Sequence, residues 1–260
     1  MVVGVDTAAE QRLAALSLVR EGRLYDLGRV LDDRAPVFPG RHFRQLLVPN
    51  PAPLGDNALN WVADIVSTTT QVGTHLDALC HLSQDGRIHG GHAVADVAGP
   101  SGFAVHGIET VPQILTRGWL VDASGLGAGE VIGPDALAGI DPAPGDAVLF
   151  HTGWGEHWED PERYLSGEPG PGVQVARRLA ELGVALTGCD TWSYGPVPAE
   201  DPARPFEVPQ LLNVRHGVLI VENLHLSALA ADGVREFALV LTHPRLRGAT
   251  GAWTSPIALV

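Results

Sequence analysis

The chain reads as an α/β protein, on three observations. Short apolar runs recur from residue 118 onward, each preceded by Gly or Asp: Gly118-Trp-Leu-Val-Asp122, Asp146-Ala-Val-Leu-Phe150, Gly183-Val-Ala-Leu-Thr187 and Gly217-Val-Leu-Ile-Val-Glu222. Unbroken runs of this length predict strands covered on both faces. Gly172–Leu182, between two of them, carries Val175, Leu179 and Leu182 at helical spacing. The 31 glycines and 20 prolines call for many turns and short elements, which argues against a helical bundle.

The other elements follow in order. Ala8–Glu21 predicts an amphipathic helix with Leu13, Leu16 and Val19 inward, stopped by Gly22. Residues 1–23 thus read as an N-terminal helical extension. Leu24–Gly28 is strand-like, and Arg34–Asn57, with its prolines and glycines, predicts a long loop. Asn60–Thr70 predicts a strand leading into Gln71–His81, followed by a turn at Gln84–Arg87 and a loop carrying His89 and His92. Pro209–Arg215 and Leu226–Ala231 predict short helices. Without an internal repeat or a linker, residues 1–260 are expected to form one domain.

Bulk properties narrow the function. A formal charge of −13 argues against nucleic acid or an anionic membrane as partner and favours a small-molecule substrate. Two cysteines, Cys80 and Cys189, are too few for a disulfide framework. Cys80 adjoins His81, yet no neighbouring cation lowers its pKa, so a buried structural thiol is expected. No apolar run approaches ~18 residues and no basic-then-apolar signal opens the chain, so a cytoplasmic location is expected.

The chemistry concentrates in Gln71-Val-Gly-Thr-His-Leu-Asp-Ala-Leu-Cys-His81. In an extended segment alternate side chains share a face, which would align Gln71, Gly73, His75 and Asp77. Gly73 would leave room there for an ion or a substrate. His81 follows Asp77 by one helical turn. Burying a carboxylate and two imidazoles is costly unless they are paired or metal-bound, and this donor set suits zinc or manganese. Three apolar runs end in polar groups, at Glu222, Asp190 and His151, which predicts a crevice at one sheet edge. Each has an ordinary reading too, as a cap or a turn residue. His89 and His92 could line an entrance or simply sit in a surface loop.

With these residues in view, the chain resembles the cyclase family of metal-dependent hydrolases, which includes bacterial kynurenine formamidases and isatin hydrolase. The family hallmark His-x-Gly-Thr-His-x-Asp-x-Pro-x-His stands here as Gln71–His81, and a strand ending Ile-Glu-Asn-Leu stands as Ile220-Val-Glu-Asn-Leu224. Gly188-Cys-Asp-Thr-Trp-Ser193 and Pro144–Gly153 resemble two further family segments. The resemblance implies a swivelling β/β/α domain, usually in a homodimer or larger assembly. It implies His75 and Asp77 as metal ligands, Glu222 as a ligand for a second metal position, and His81 as the acid/base histidine. The chain departs from the pattern twice. Gln71 replaces the first hallmark histidine, and the window before the glutamate where the family has another histidine holds Pro209 and Gln210. One ion on His75, Asp77 and Glu222, assisted by Gln71, is the expectation, with a metal-free site as the alternative.

Two reactions fit. In hydrolysis of an amide or lactam, His81 would move the water proton and Gln71 or the Thr74 hydroxyl would bind the oxyanion, with Trp61, Trp154 and Trp192 stacking on an aromatic substrate. In a cyclase or dehydratase reaction of secondary metabolism, the same site would shuttle protons without activated water, and the missing imidazoles would matter less.

Overall fold

The computed structural model describes residues 8–260. The first residues of the expected extension, 1–7, lie outside that range.

Nine strands form the main sheet. In chain order the strands of three or more residues are β1 (Leu24–Asp26), β2 (Phe43–Pro49), β3 (Val62–Thr68), β4 (His75–Asp77), β5 (Ile114–Asp122), β6 (Ala147–His151), β7 (Leu186–Cys189), β8 (Leu219–Glu222), β9 (Glu236–Leu241), β10 (Gly251–Trp253) and β11 (Ile257–Leu259). The sheet runs β1-β11-β9-β5-β6-β7-β8-β4-β10. Its centre, β5-β6-β7-β8, is parallel, and both flanks are antiparallel. The four apolar runs form this parallel centre. Successive residues of β6 feed opposite cores: Leu149 packs with Leu120, Leu186 and Phe237, while Val148 and Phe150 pack with Val175, Leu179 and Ile220. A strand covered on both faces therefore needs apolar residues without alternation. Helix α2 (Val173–Leu182) covers the second core with Val175, Ala176 and Leu179 buried.

Local detail departs from expectation in four places. Helix α1 spans only Ala9–Leu16, and Leu13 and Leu16 are exposed while Ala15 is its buried residue. The Ser17 hydroxyl donates to the Ala14 carbonyl and competes with the helical ladder there. The predicted strand at Gly183–Thr187 lies later, at Leu186–Cys189, because Gly183 adopts φ +71° and closes α2. Pro209–Arg215 becomes a π-helix, Gln210–His216, packed behind the site. Arg34–Asn57, expected as a loop, contains β2, which pairs with β3 in a separate hairpin projecting from the body. Flanking prolines and glycines disguise the β-prone run Phe43–Val48.

Candidate functional site

Strand register assembles the site. β4 lies between β8 and β10 and is antiparallel to both, so Glu222 stands directly across from His75, and Gly251 across from Asp77. His75 and Asp77, two residues apart, share one face of β4, while Leu76 enters the core on the other. His75 Nε2 lies 3.2 Å from Glu222 Oε2 and 3.7 Å from Asp77 Oδ1. All three side chains are buried, and their ligand atoms lie within 4.8 Å of one another.

The hydrogen bonding fits a divalent cation. His75 Nδ1 is 2.7 Å from the Gly73 carbonyl, an acceptor only, so Nδ1 carries the proton and the Nε2 lone pair faces the carboxylates. His75 Nε2 and Asp77 Oδ1 are both buried without a hydrogen-bond partner. Burial works against a charged His75, but the facing Glu222 and Asp77 outweigh it and raise its pKa. Burial first, and then Asp77, raises the pKa of Glu222 against the opposing pull of His75. Two buried carboxylates facing one imidazole leave negative charge uncompensated, and a cation on these three residues resolves the excess.

The hallmark segment is less regular than expected. Only His75–Asp77 is extended, and Gly73 bends the chain with φ +63°. Gly73 leaves no room for an ion: a Cβ there would lie 2.4 Å from the Leu31 side chain, which fills that space. Thr74 is not free to bind an oxyanion, because its hydroxyl donates to the Asn223 carbonyl at 2.6 Å and accepts from Arg29 N at 2.9 Å. Gln71 is buried, with its amide donating to Thr250 Oγ1 and accepting from Thr70 Oγ1. It does stay near the centre, since a Cβ at Gly251 would lie 2.8 Å from Gln71 Nε2 and 3.6 Å from Asp77 Oδ1.

A cavity of about 140 Å³ is lined by two of the three candidate ligands, Asp77 and Glu222, together with His81. His81 Nε2 lies 3.9 Å from Asp77 Oδ1, and its side chain is 20% exposed. Of the tryptophans expected to meet substrate, Trp192 lines the cavity, stacked on Phe38 at 5.2 Å with Phe206 edge-on to it. Trp154 does not: it is buried with Trp158 and Tyr164 and donates to the Tyr164 carbonyl. Trp61 does not either, because it sits half-exposed at the start of the hairpin's return strand. A larger cavity of about 380 Å³ beside Tyr194 and Arg177 shares Phe206 and Pro209 with this one but holds none of the three ligands. The smaller cavity is the candidate site for that reason.

The other polar strand ends are structural. Asp190 accepts from Thr152 N, Thr152 Oγ1 and Gly153 N at 2.6–3.0 Å, which pins two loops together, and His151 pairs with Asp122 at 3.0 Å. His89 and His92 pack on His106 away from the cavity. Burial pushes the Cys80 thiol up to about 12, which works against a thiolate nucleophile at neutral pH.

Four contributors escape a reading of the sequence: Phe38, Arg41, Phe206 and Glu168. Arg41 donates to the Gln71 carbonyl at 2.8 Å and lies over the Phe38 ring. Phe38 and Arg41 belong to the segment taken as loop, where no periodicity marks them. Glu168 is fully buried, and its Oε2 accepts from the backbone N–H groups of Trp192 and Ser193. Burial, and secondarily Glu222, hold its pKa well above the ordinary carboxylate value of 4.5. A raised folded-state pKa gives a contribution complete below about pH 4.5 and lost as pH rises toward the folded value. Glu168→Gln should therefore gain stability relative to the wild type as pH is raised from 4.5 to 8. Thermal unfolding of both proteins across that range measures it, and parallel Tm curves would contradict it.

The Cyclase family model matches residues 25–196, and the chain belongs to the cyclase family. A crystal structure of a novel cyclase is 26% identical, covering 98% of this chain and 94% of that one, with a TM-score of 0.87. Isatin hydrolase A from Ralstonia solanacearum shares the fold at 20% identity, with 98% of both chains covered and a TM-score of 0.70. A protein from Bacillus stearothermophilus described as a "predicted metal-dependent hydrolase" shares it at 19% identity, covering 92% of this chain and 98% of that one, with a TM-score of 0.65. Comparison with curated proteins finds no match. The family and the swivelling α/β fold expected from the hallmark are thus those of the molecule. Among the described residues, no helix is long and apolar enough to cross a membrane.

Proposed function

We propose that this chain is a metal-dependent hydrolase acting on the carbonyl of a small amide, lactam or related molecule with a flat ring. One observation carries the reading: two buried carboxylates that face an unpartnered imidazole nitrogen also line an aromatic-walled cavity that His81 borders. A zinc or manganese ion held by His75, Asp77 and Glu222 supplies Lewis acidity and makes water a stronger acid.

The chain's own residues do the rest. The Gly73 carbonyl holds the His75 tautomer. The Phe38–Trp192 pair offers a flat apolar face on which a ring packs and excludes water. His81 Nε2 takes the proton of the attacking water and returns it to the departing nitrogen. The Ser193 hydroxyl borders the cavity, in place of Thr74, as a donor toward the carbonyl oxygen.

A cyclase or dehydratase reaction is the second reading. It is favoured by the Gln71 amide, which is committed to Thr250 and Thr70 and so leaves three ligands. Chelation separates the two. Elemental analysis should find about one equivalent of zinc or manganese, and turnover of a panel of aryl formamides and lactams, isatin included, should vanish on chelation and return with metal. Turnover of that panel unchanged by chelation would overturn the metal-dependent mechanism, and a protein that turns over none of the panel with metal supplied would support the second reading.

A further inference from the structure

Two cavities meet at Phe206 and Pro209, which line both. The one beside Asp77 and Glu222, at about 140 Å³, has room for a single ring and little more. A cavity of roughly 150 Å³ is the size that takes up benzene. The other, at about 380 Å³, falls by itself in the range of small-molecule sites. Phe206 stands between them in a conformation that a bulky residue rarely adopts, with φ +56°. Ion pairs from Glu207 to Arg204 at 3.5 Å and to Arg215 at 3.0 Å hold the turn that carries it. Its ring stays 40% exposed and is not packed into a core.

The lining of the larger cavity defines what it can take. Val173, Pro196, Val208 and Phe206 make it apolar, and the Tyr194 hydroxyl is already bonded to Thr187 at 2.7 Å. Most of its charges are spent. Glu200 accepts from Val173 N at the start of α2, and Arg204 pairs with both Asp201 and Glu207. Among the described residues, Arg177 alone of the charged groups lining this cavity has no hydrogen-bond or ion-pair partner. It stands exposed on α2. An apolar chamber with one unpaired guanidinium suits an apolar group that ends in a carboxylate.

We propose that the larger cavity is the outer half of the substrate site. It takes the distal part of the substrate, an apolar chain or second ring ending in a carboxylate that pairs with Arg177, while the reacting carbonyl stays beside Asp77 and Glu222. This rests on the hydrolase reading and adds a substrate class to it: an elongated anion, where the smaller cavity alone admits one ring. A neutral tail leaves the guanidinium unpaired, and a cationic tail is repelled by it.

Product-type probes test the subsite without turnover. Aniline, 4-(4-aminophenyl)butanoate and the methyl ester of that acid are titrated calorimetrically into the metal-loaded protein. The tail should tighten binding at least tenfold over aniline, since each buried methylene is worth about fourfold. The acid should bind about fivefold tighter than its ester, the upper end for an exposed ion pair. Arg177→Gln should erase the difference between acid and ester. Ala199→Trp, which places an indole in the larger cavity, should erase the advantage of both tailed probes over aniline. Each variant serves as the test should the other fail to fold. Four results would each overturn the subsite: no binding of any probe, equal binding of tailed and untailed probes, a tail advantage kept in folded Ala199→Trp, or an acid–ester difference kept in Arg177→Gln. Turnover of formanilide is read separately. Tailed probes that bind as expected to a protein inert toward formanilide and its para-butanoate would sink the hydrolase reading alone, and hydrolysis of both with no preference for the tail would sink the subsite alone.

Discussion

Asp77→Asn is expected to lose the bound metal and to lower kcat/KM by more than about 100-fold, beyond the 10–100-fold that follows loss of an outer-shell partner. The reason is geometric. Asp77 Oδ1 is buried, unpartnered and 3.7 Å from His75 Nε2, and a carboxamide of the same shape replaces a charged oxygen donor with a neutral group. The same change should have the opposite sign on the stability of the metal-free protein. Asp77 raises the pKa of Glu222, which is the mark of repulsion between two buried carboxylates, and Asn removes it. Chelation should thus lower the Tm of the wild type and leave that of the variant unchanged. Elemental analysis with calorimetry in the presence and absence of chelator measures both effects. A variant that keeps stoichiometric metal would show that Asp77 is not a ligand.

His81→Ala should cost about 10²–10⁴-fold in kcat with metal content unchanged. His81 has the partly exposed imidazole of the site, and it sits 3.9 Å from Asp77, too far for a hydrogen bond and placed instead toward the cavity. It stands outside the three-residue ligand group, so its loss should not release the ion. Added imidazole should restore part of the rate, because a proton carrier of the right size can enter the vacated space. Loss of metal along with activity would move His81 from proton transfer to coordination. Unchanged turnover would remove it from the reaction.

The legible part of the molecule was its local chemistry. His75, Asp77 and Glu222 could be named because the hallmark and the strand-end glutamate are short contiguous patterns. The four strands of the parallel centre could be named because burial on both faces demands apolar residues at every position. Arg41 and Phe38 could not, since a residue that lines a cavity from a turn carries no periodicity. Thr74 and Trp154 were misplaced for a related reason. A hydroxyl or an indole reads the same whether it meets substrate or closes a hydrogen bond to Asn223 or Tyr164.

Sequence alone gave the family hallmark and the alternation of strands and helices, which rest on side-chain chemistry and short-range periodicity, and named three ligand candidates through the family resemblance. Long-range strand pairing settled the rest. The antiparallel register of β4 with β8 set Glu222 opposite His75 although they lie far apart in the chain. Packing of Leu31 onto Gly73 closed the space that the glycine had promised, and separation of β2–β3 from the main sheet turned an apolar strand outward. Apolar patterning specifies that a surface must be covered; which surface covers it depends on contacts between segments that no local window contains.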